Sequence, residues 1–159
     1  MNCETAKEIE LRVAHWFGIR QHLIVPNVSW GLLPHECDLV VMRSSGYLIE
    51  VEIKISKSDL IADLKKPHMH QSNMIKMLYF AMPEKLLPAI EHVPERAGIL
   101  IVSKTGYVRL LREAAENRSA TKLSGEDMFQ LARLGALRIW RLEQKLLEAK
   151  HDIVRLKNL

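Results

Sequence analysis

Residues 36–66 read ECDLVVMRSSGYLIEVEIKISKSDLIADLKK, and this stretch decides the fold. Cys37 to Met42 is an apolar run of strand character. Arg43-Ser44-Ser45-Gly46 carries turn chemistry. Tyr47 to Ile55 alternates strictly, with Val51, Ile53 and Ile55 between Glu50, Glu52 and Lys54. Two such runs around a short glycine turn predict a β-hairpin. Ser56 and Asp59 have capping-box spacing, so a helix is expected from about Lys57 to about Lys66, ended by Pro67.

Working outward, residues 5–17 place Ala6, Ile9, Val13, Trp16 and Phe17 on one helical stripe, with Thr5 and Glu8 as a capping box and Gly18 as a stop. Residues 22–28 read as a strand. Downstream, 71–77 is expected to be helical, 78–82 a strand, and 84–92 a helix with Pro83 at its start. GILIVS and YVRLLR predict a second hairpin across Lys104-Thr105-Gly106. From Ser124 to about Lys157 one long helix is expected. Met128, Gly135, Leu142, Ala149 and Leu156 recur every seven residues, interleaved by Ala132, Ile139, Leu146 and Ile153. That seam suits either packing on the chain's own sheet or pairing with a second copy as a homodimer. The expected organisation is one domain, with 1–123 as its body and 124–159 as the long helix.

The bulk properties agree with a single compact domain. The chain has 159 residues, 48% of them hydrophobic, and a formal net charge of +4. That length and apolar content support a core without disulfides or a structural metal. The mild basicity is compatible with a polyanionic partner. Two cysteines, Cys3 and Cys37, make no disulfide framework and suggest a reducing, cytoplasmic setting. No signal peptide and no membrane-spanning run is expected.

The chemistry centres on the strand with three alternating charges. On its own, a charged face is what any half-solvated strand presents. The partner strand changes this. With Gly46 supplying the positive φ of a three-residue turn, Arg43 faces Tyr47, and Asp38 falls opposite Glu52 with Glu36 opposite Lys54. Opposed like charges destabilise a hairpin, so two carboxylates held there call for a cation. Oxygen ligands suit Mg²⁺ or Mn²⁺.

Asp38 on one strand and Glu52-Ile53-Lys54 on the next resemble the PD-(D/E)XK nuclease superfamily, with Cys37 where the superfamily's name has proline. Residues 36–66 look more narrowly like the MmcB-like DNA repair proteins and related phage or prophage proteins. The resemblance spans about residues 5–112. It implies an α/β restriction-endonuclease-like core, a central mixed sheet flanked by helices in the order αβββαβ. It implies a Mg²⁺- or Mn²⁺-dependent deoxyribonuclease acting in DNA repair, recombination or phage DNA processing. The alternative is a nuclease-fold module that binds DNA or a repair partner without efficient catalysis. In the hydrolytic reading Asp38, Glu52 and the Ile53 carbonyl hold the ion. Lys54 orients the water and contacts the phosphate. It could serve in proton transfer only with a depressed pKa. Relatives often add a carboxylate from the first helix, for which Glu10, on the inward stripe, stands ahead of Glu8. Lys65, Lys66, His68 and Lys76 are the candidate DNA contacts. His35, Cys37, His68 and His70 fit no structural zinc spacing. Trp30 is a candidate base-stacking residue.

Overall fold

The computed structural model describes residues 5–29, 31–33, 35–66, 70 and 72–157. Trp30, His68 and Pro67 lie outside them. The architecture is α/β: a mixed six-stranded sheet flanked by helices, with a long helix at the C-terminal end. The elements are α1 (Ala6–Phe17), β1 (Leu23–Val28), β2 (Cys37–Met42), β3 (Leu48–Ile53), α2 (Lys57–Asp63), β4 (Ile75–Pro83), a 3₁₀ helix (Glu84–His92), β5 (Gly98–Val102), β6 (Val108–Arg112) and α3 (Gly125–Lys157). The strands lie in sequence order. β3, β4 and β5 run parallel to one another, and the flanking pairs are antiparallel.

Alternation along the strands sends side chains to two different layers. On one face α1 lays Ile9, Val13 and Ala14 over Val41, Val51 and Ala81. The Thr5–Glu8 capping box starts that helix and Gly18, at φ +95°, ends it. On the other face α2 and the 3₁₀ helix cover Leu78, Phe80 and Ile99 with Leu60, Leu86 and Ala89. Helices on one side are what two right-handed crossovers advancing in one direction across a sheet produce. The first half of α3 covers Val25, Val40 and Leu48 on that same side through Leu131. Glu50, Glu52 and Lys54 therefore emerge between two apolar blocks.

Several expectations are corrected. Residues 75–77 are not helical. Ile75 already pairs beside Leu48, so β4 runs from Ile75 to Pro83. Helix α2 ends at Asp63 rather than Lys66, and the backbone turns at Leu64. The 84–92 segment winds as a 3₁₀ helix, with Pro88 inside it, where an α-helical ladder would lack that residue's N–H. The heptad seam is only half used. Met128, Leu131, Leu134 and Gly135 face β1, whereas Ala132 and residues 139–157 are exposed.

Gly98 offers a stability test of the sheet. A Cβ there would lie 2.2 Å from the Tyr79 ring and 2.9 Å from the Ala114 amide. The ring is tethered, because Tyr79 Oη donates to Glu113 at 3.0 Å. Gly98→Ala should cost about 1–3 kcal/mol by overpacking. A urea midpoint equal to that of the wild type would show that the Tyr79 ring yields without cost.

Candidate active site

The hairpin register is the one the turn dictates. Leu39 pairs with Val51, Val40 with Glu50, Val41 with Ile49 and Met42 with Leu48. Gly46 has φ +85°, and the Arg43 amide donates to the Tyr47 carbonyl. One step further along this register sets Asp38 opposite Glu52. Asp38 Oδ2 accepts from the Ile53 amide at 2.8 Å, which fixes its carboxylate at the end of β3.

The charged face of β3 is not in water. Glu50, Glu52 and Lys54 are 0%, 1% and 4% exposed, which removes the solvated-strand reading. Buried charges persist only when paired and hydrogen-bonded, and these are. Lys54 Nζ donates to Glu52 Oε2 at 2.9 Å and to Asp63 Oδ1 at 3.0 Å. Lys66 Nζ reaches the same Asp63 oxygen at 2.6 Å. His70 bridges the network, with Nδ1 2.7 Å from Glu50 Oε1 and Nε2 against Asp63 Oδ2. His35 Nε2 holds both Glu50 oxygens at 2.9 and 3.0 Å. Glu52 Oε1 is buried and accepts no hydrogen bond among the described residues. His70 Nδ1 stands 3.8 Å from it. His70 itself has φ +54°, a left-handed backbone that a non-glycine residue seldom adopts.

These contacts separate the ionisations. Burial, then repulsion from Asp38, pushes the Glu52 carboxyl up to about 7, against the pull of Lys54 and His70. Burial also opposes ionisation of Glu50, but the hydrogen bonds from His35 and His70 outweigh it and hold that carboxyl below its ordinary value. For Asp63 the bonds from His70 and Lys66 likewise overcome burial. His70 is raised to about 9, because Asp63 and Glu50 outweigh its desolvation. Burial alone would lower Lys54, but Glu52 and Asp63 raise it well above its usual range. Lys54 is thus a fixed ammonium, suited to holding charge and orienting a nucleophile rather than to accepting a proton. Burial, reinforced by Glu50 and Glu52, pushes the Cys37 thiol up, so it is a poor ligand despite lying near His35 and Glu50.

The fold brings Asp38, Glu52, Ile53 and Lys54 together and sets Lys66, with Lys65 exposed beside it, at the margin. Glu10 is elsewhere. It pairs with Lys7 on α1, the helix that covers the opposite, apolar face. Lys76 lies at the start of β4, four residues before Phe80, which neighbours Glu52; at strand rise that is roughly 13 Å away. It binds Glu116 and stacks over Tyr47. Glu36 is exposed, and Lys54 pairs with Glu52 and Asp63 instead.

Sequence reasoning did not assign Asp63, Glu50, His35 or His70 to the site: Asp63 went unnamed, Glu50 counted only as part of the charged face, and the two histidines were set aside as zinc ligands. Asp63 was findable, since it shares the inward stripe of α2 with Leu60, the same argument that favoured Glu10. Glu50 needed the second layer to be known, because α2, the 3₁₀ helix, α3, His35 and His70 close over that face. The two histidines come from segments outside helix or strand, with no periodicity to read.

A sequence profile described as "DNA repair protein MmcB-like" matches residues 2–146. The chain belongs to the MmcB-like DNA repair protein family. The match includes the whole candidate site and extends well into α3, beyond residue 112, where the resemblance was expected to stop. A DNA repair role follows from this membership. No curated protein matches the chain. Among solved structures it is similar to SPO1766, a protein of unknown function from Silicibacter pomeroyi, at 19% identity and a TM-score of 0.64, over 91% of this chain and 92% of that one. That likeness supports the fold alone. Among the described residues no helix is long and apolar enough to cross a membrane.

Proposed function

We propose that this MmcB-like chain is a divalent-metal-dependent deoxyribonuclease of the PD-(D/E)XK type, cleaving DNA phosphodiester bonds in repair. The observation that carries the reading is the Glu52 carboxylate. It is buried, one of its oxygens has no hydrogen-bond partner among the described residues, and Asp38 stands across the hairpin from it. An unpaired buried carboxylate oxygen costs free energy that a cation offsets, so the donor set fits Mg²⁺ or Mn²⁺. Asp38 and Glu52 would hold the ion, with the Ile53 carbonyl as a further oxygen. When bound, it would supply a lowered pKa for an attacking water and charge for the phosphorane.

The chain's own residues do the remainder. Lys54 keeps its proton, screens Glu52 and aims its ammonium along the charged face. Asp63 anchors Lys54, so that the ammonium is fixed before substrate arrives. Asp38 also borders a cleft with Glu36, Asn27 and Arg138. That cleft is the open side of the site, and Arg138 supplies a cation there for a phosphate. Lys65 and Lys66 offer a second basic margin.

The burial of Glu52 and Lys54 favours one rival reading, in which the same surface binds DNA without cutting it. Incubation of plasmid and branched DNA with Mn²⁺ or Mg²⁺ separates the two. Wild type should cut, while Asp38→Asn and Glu52→Gln should lose roughly 10²–10³-fold or more in rate and still bind DNA. Wild type that binds and never cuts would leave the binding reading in its place.

A further inference from the structure

We infer that His70 is a direct metal ligand together with Glu50 and Glu52, in a cluster that shares only Glu52 with the Asp38 pairing, making this a mixed imidazole–carboxylate site that prefers Mn²⁺ to Mg²⁺. The inference rests on the metal-dependent reading above and deepens it. Glu50, Glu52 and His70 each offer one ligand atom, all within 4.8 Å of one another, and all three residues are buried. The Glu52 oxygen facing His70 Nδ1 has no hydrogen-bond partner among the described residues. Asp63 holds the other imidazole nitrogen, Nε2. A carboxylate on the far nitrogen is the usual outer support of a metal-ligating histidine, fixing its tautomer and ring plane. The left-handed backbone at His70 aims Nδ1 inward at the two glutamates. His35 plays the corresponding part for Glu50, gripping its carboxylate from the other side. Ligation at Nδ1 releases that nitrogen's proton. Imidazole suits Mn²⁺ and later transition ions, whereas Mg²⁺ takes oxygen ligands.

The test is Mn²⁺ titration of the full chain followed by electron paramagnetic resonance, with no DNA present. Wild type should bind Mn²⁺ and show nitrogen hyperfine modulation from a coordinated imidazole. His70→Gln should lose that signal and weaken Mn²⁺ about tenfold or more, closing the gap to Mg²⁺. Asp63→Asn should keep the signal and weaken binding through lost orientation, by roughly 10-fold or more. Circular dichroism confirms that each variant is folded. Binding that Glu52→Gln abolishes but His70→Gln leaves unchanged overturns this inference and spares the metal-dependent reading. No Mn²⁺ binding by wild type overturns both.

A separate observation carries a second proposal. Beyond Arg138, α3 is exposed on every side. Ile139, Trp140, Leu142, Leu146, Leu147 and Ile153 are each more than half exposed, as are Val154 and Leu156. Such a contiguous apolar stripe is rare on a monomer. We propose that residues 139–156 pair antiparallel with the same segment of a second copy. With the heptad running Leu142, Ala149 and Leu156 at one core position and Ile139, Leu146 and Ile153 at the other, Glu143 and Lys150 flank the core on one side, with Trp140, Leu147 and Val154 beyond them, and Lys145 and Asp152 flank it on the other. Set antiparallel, Ile139 meets Leu156, Leu142 meets Ile153, and Leu146 meets Ala149. On one flank Glu143 meets Lys150 twice, and on the other Lys145 meets Asp152 twice, while Trp140, Leu147 and Val154 lie along the outer edge of the first. A parallel pair would instead set Lys145 against Lys150, like charge against like. The charge pattern and the two-fold symmetry thus select one arrangement of one partner.

Light scattering should give twice the chain's 18.3 kDa mass. Lys145→Asp and Asp152→Lys should each weaken the dimer, and the double exchange should restore it. A monomer, or a dimer indifferent to both exchanges, overturns the proposal.

Discussion

Lys54→Met is expected to reduce DNA cleavage by roughly 10²–10³-fold, the cost of removing one preorganised charged donor from a phosphate-cutting site. Its effect on stability should depend on pH in a way that identifies the role. The ammonium sits between Glu52 and Asp63, 2.9 and 3.0 Å away, and is 5% exposed. Taking away one partner of a buried ion pair costs about 3–5 kcal/mol when the other charge cannot escape. Glu52 can escape. Burial and Asp38 already push its carboxyl up to about 7, and without Lys54 it rises further. At about pH 6 Glu52 is protonated in the variant, which should lose little stability; the loss grows with pH and is about 1.4 kcal/mol at about pH 8, one unit above 7, because Glu52 can still take up a proton there. Denaturant unfolding at the two pH values, beside cleavage assays at matched folded fraction, checks both parts. Equal losses at the two pH values would show that Lys54 does not charge-balance Glu52. Lys54→Arg keeps the cation and should keep the stability at about pH 8, while its forked geometry still impairs cleavage.

What the chain discloses before folding follows the range of the interaction concerned. The hairpin was legible because its register is set locally, by Gly46 and the alternation of β3, so the pairing of Asp38 with Glu52 could be derived from turn geometry. The long helix was legible from its heptads. Its division at Arg138 was not, because the end of sheet contact depends on where β1 stops beneath it. The helix expected at 71–77 failed for a similar reason: the segment joins the ladder beside Leu48, a contact across the sheet rather than along the chain. Glu10 and Asp63 make the contrast sharpest. Both are carboxylates on the inward stripe of a helix, and stripe logic cannot say which face of the sheet the helix covers. The α1 layer puts Glu10 on the apolar face, and the α2 layer puts Asp63 on Lys54 and His70. The choice between them belongs to topology.

Glu50→Gln should be the most destabilising conservative change in the site, by about 3–5 kcal/mol, because it removes the charge that holds two buried histidines. Glu50 is fully buried and accepts from both His35 and His70. The linkage fixes the pH window. His70 goes from 6.5 to about 9 on folding, so its contribution is fully present below about pH 6.5 and is lost as pH rises through about 9. Glu52, raised from 4.5 to about 7, acts in the same direction, and its contribution is lost as pH rises through about 7. Glu50 and Asp63 are lowered; their contributions are present above the ordinary carboxylate range and are lost as pH falls through their folded values. The metal-free protein should therefore be most stable near about pH 5 and weaken steadily towards about pH 9. In Glu50→Gln, His70 loses one of the two carboxylate charges that raise it. The fall between about pH 6.5 and 9 should then flatten, from a lower starting stability. Urea titrations in chelator across that range decide the matter. A wild-type profile that is flat from about pH 5 to 9 would mean that the histidine–carboxylate chain is not the charge store its geometry implies. A divalent ion that restores stability above about pH 7 in wild type but not in Glu52→Gln would tie that store to the metal, because only an ion on Glu52 relieves the repulsion that raises its carboxyl.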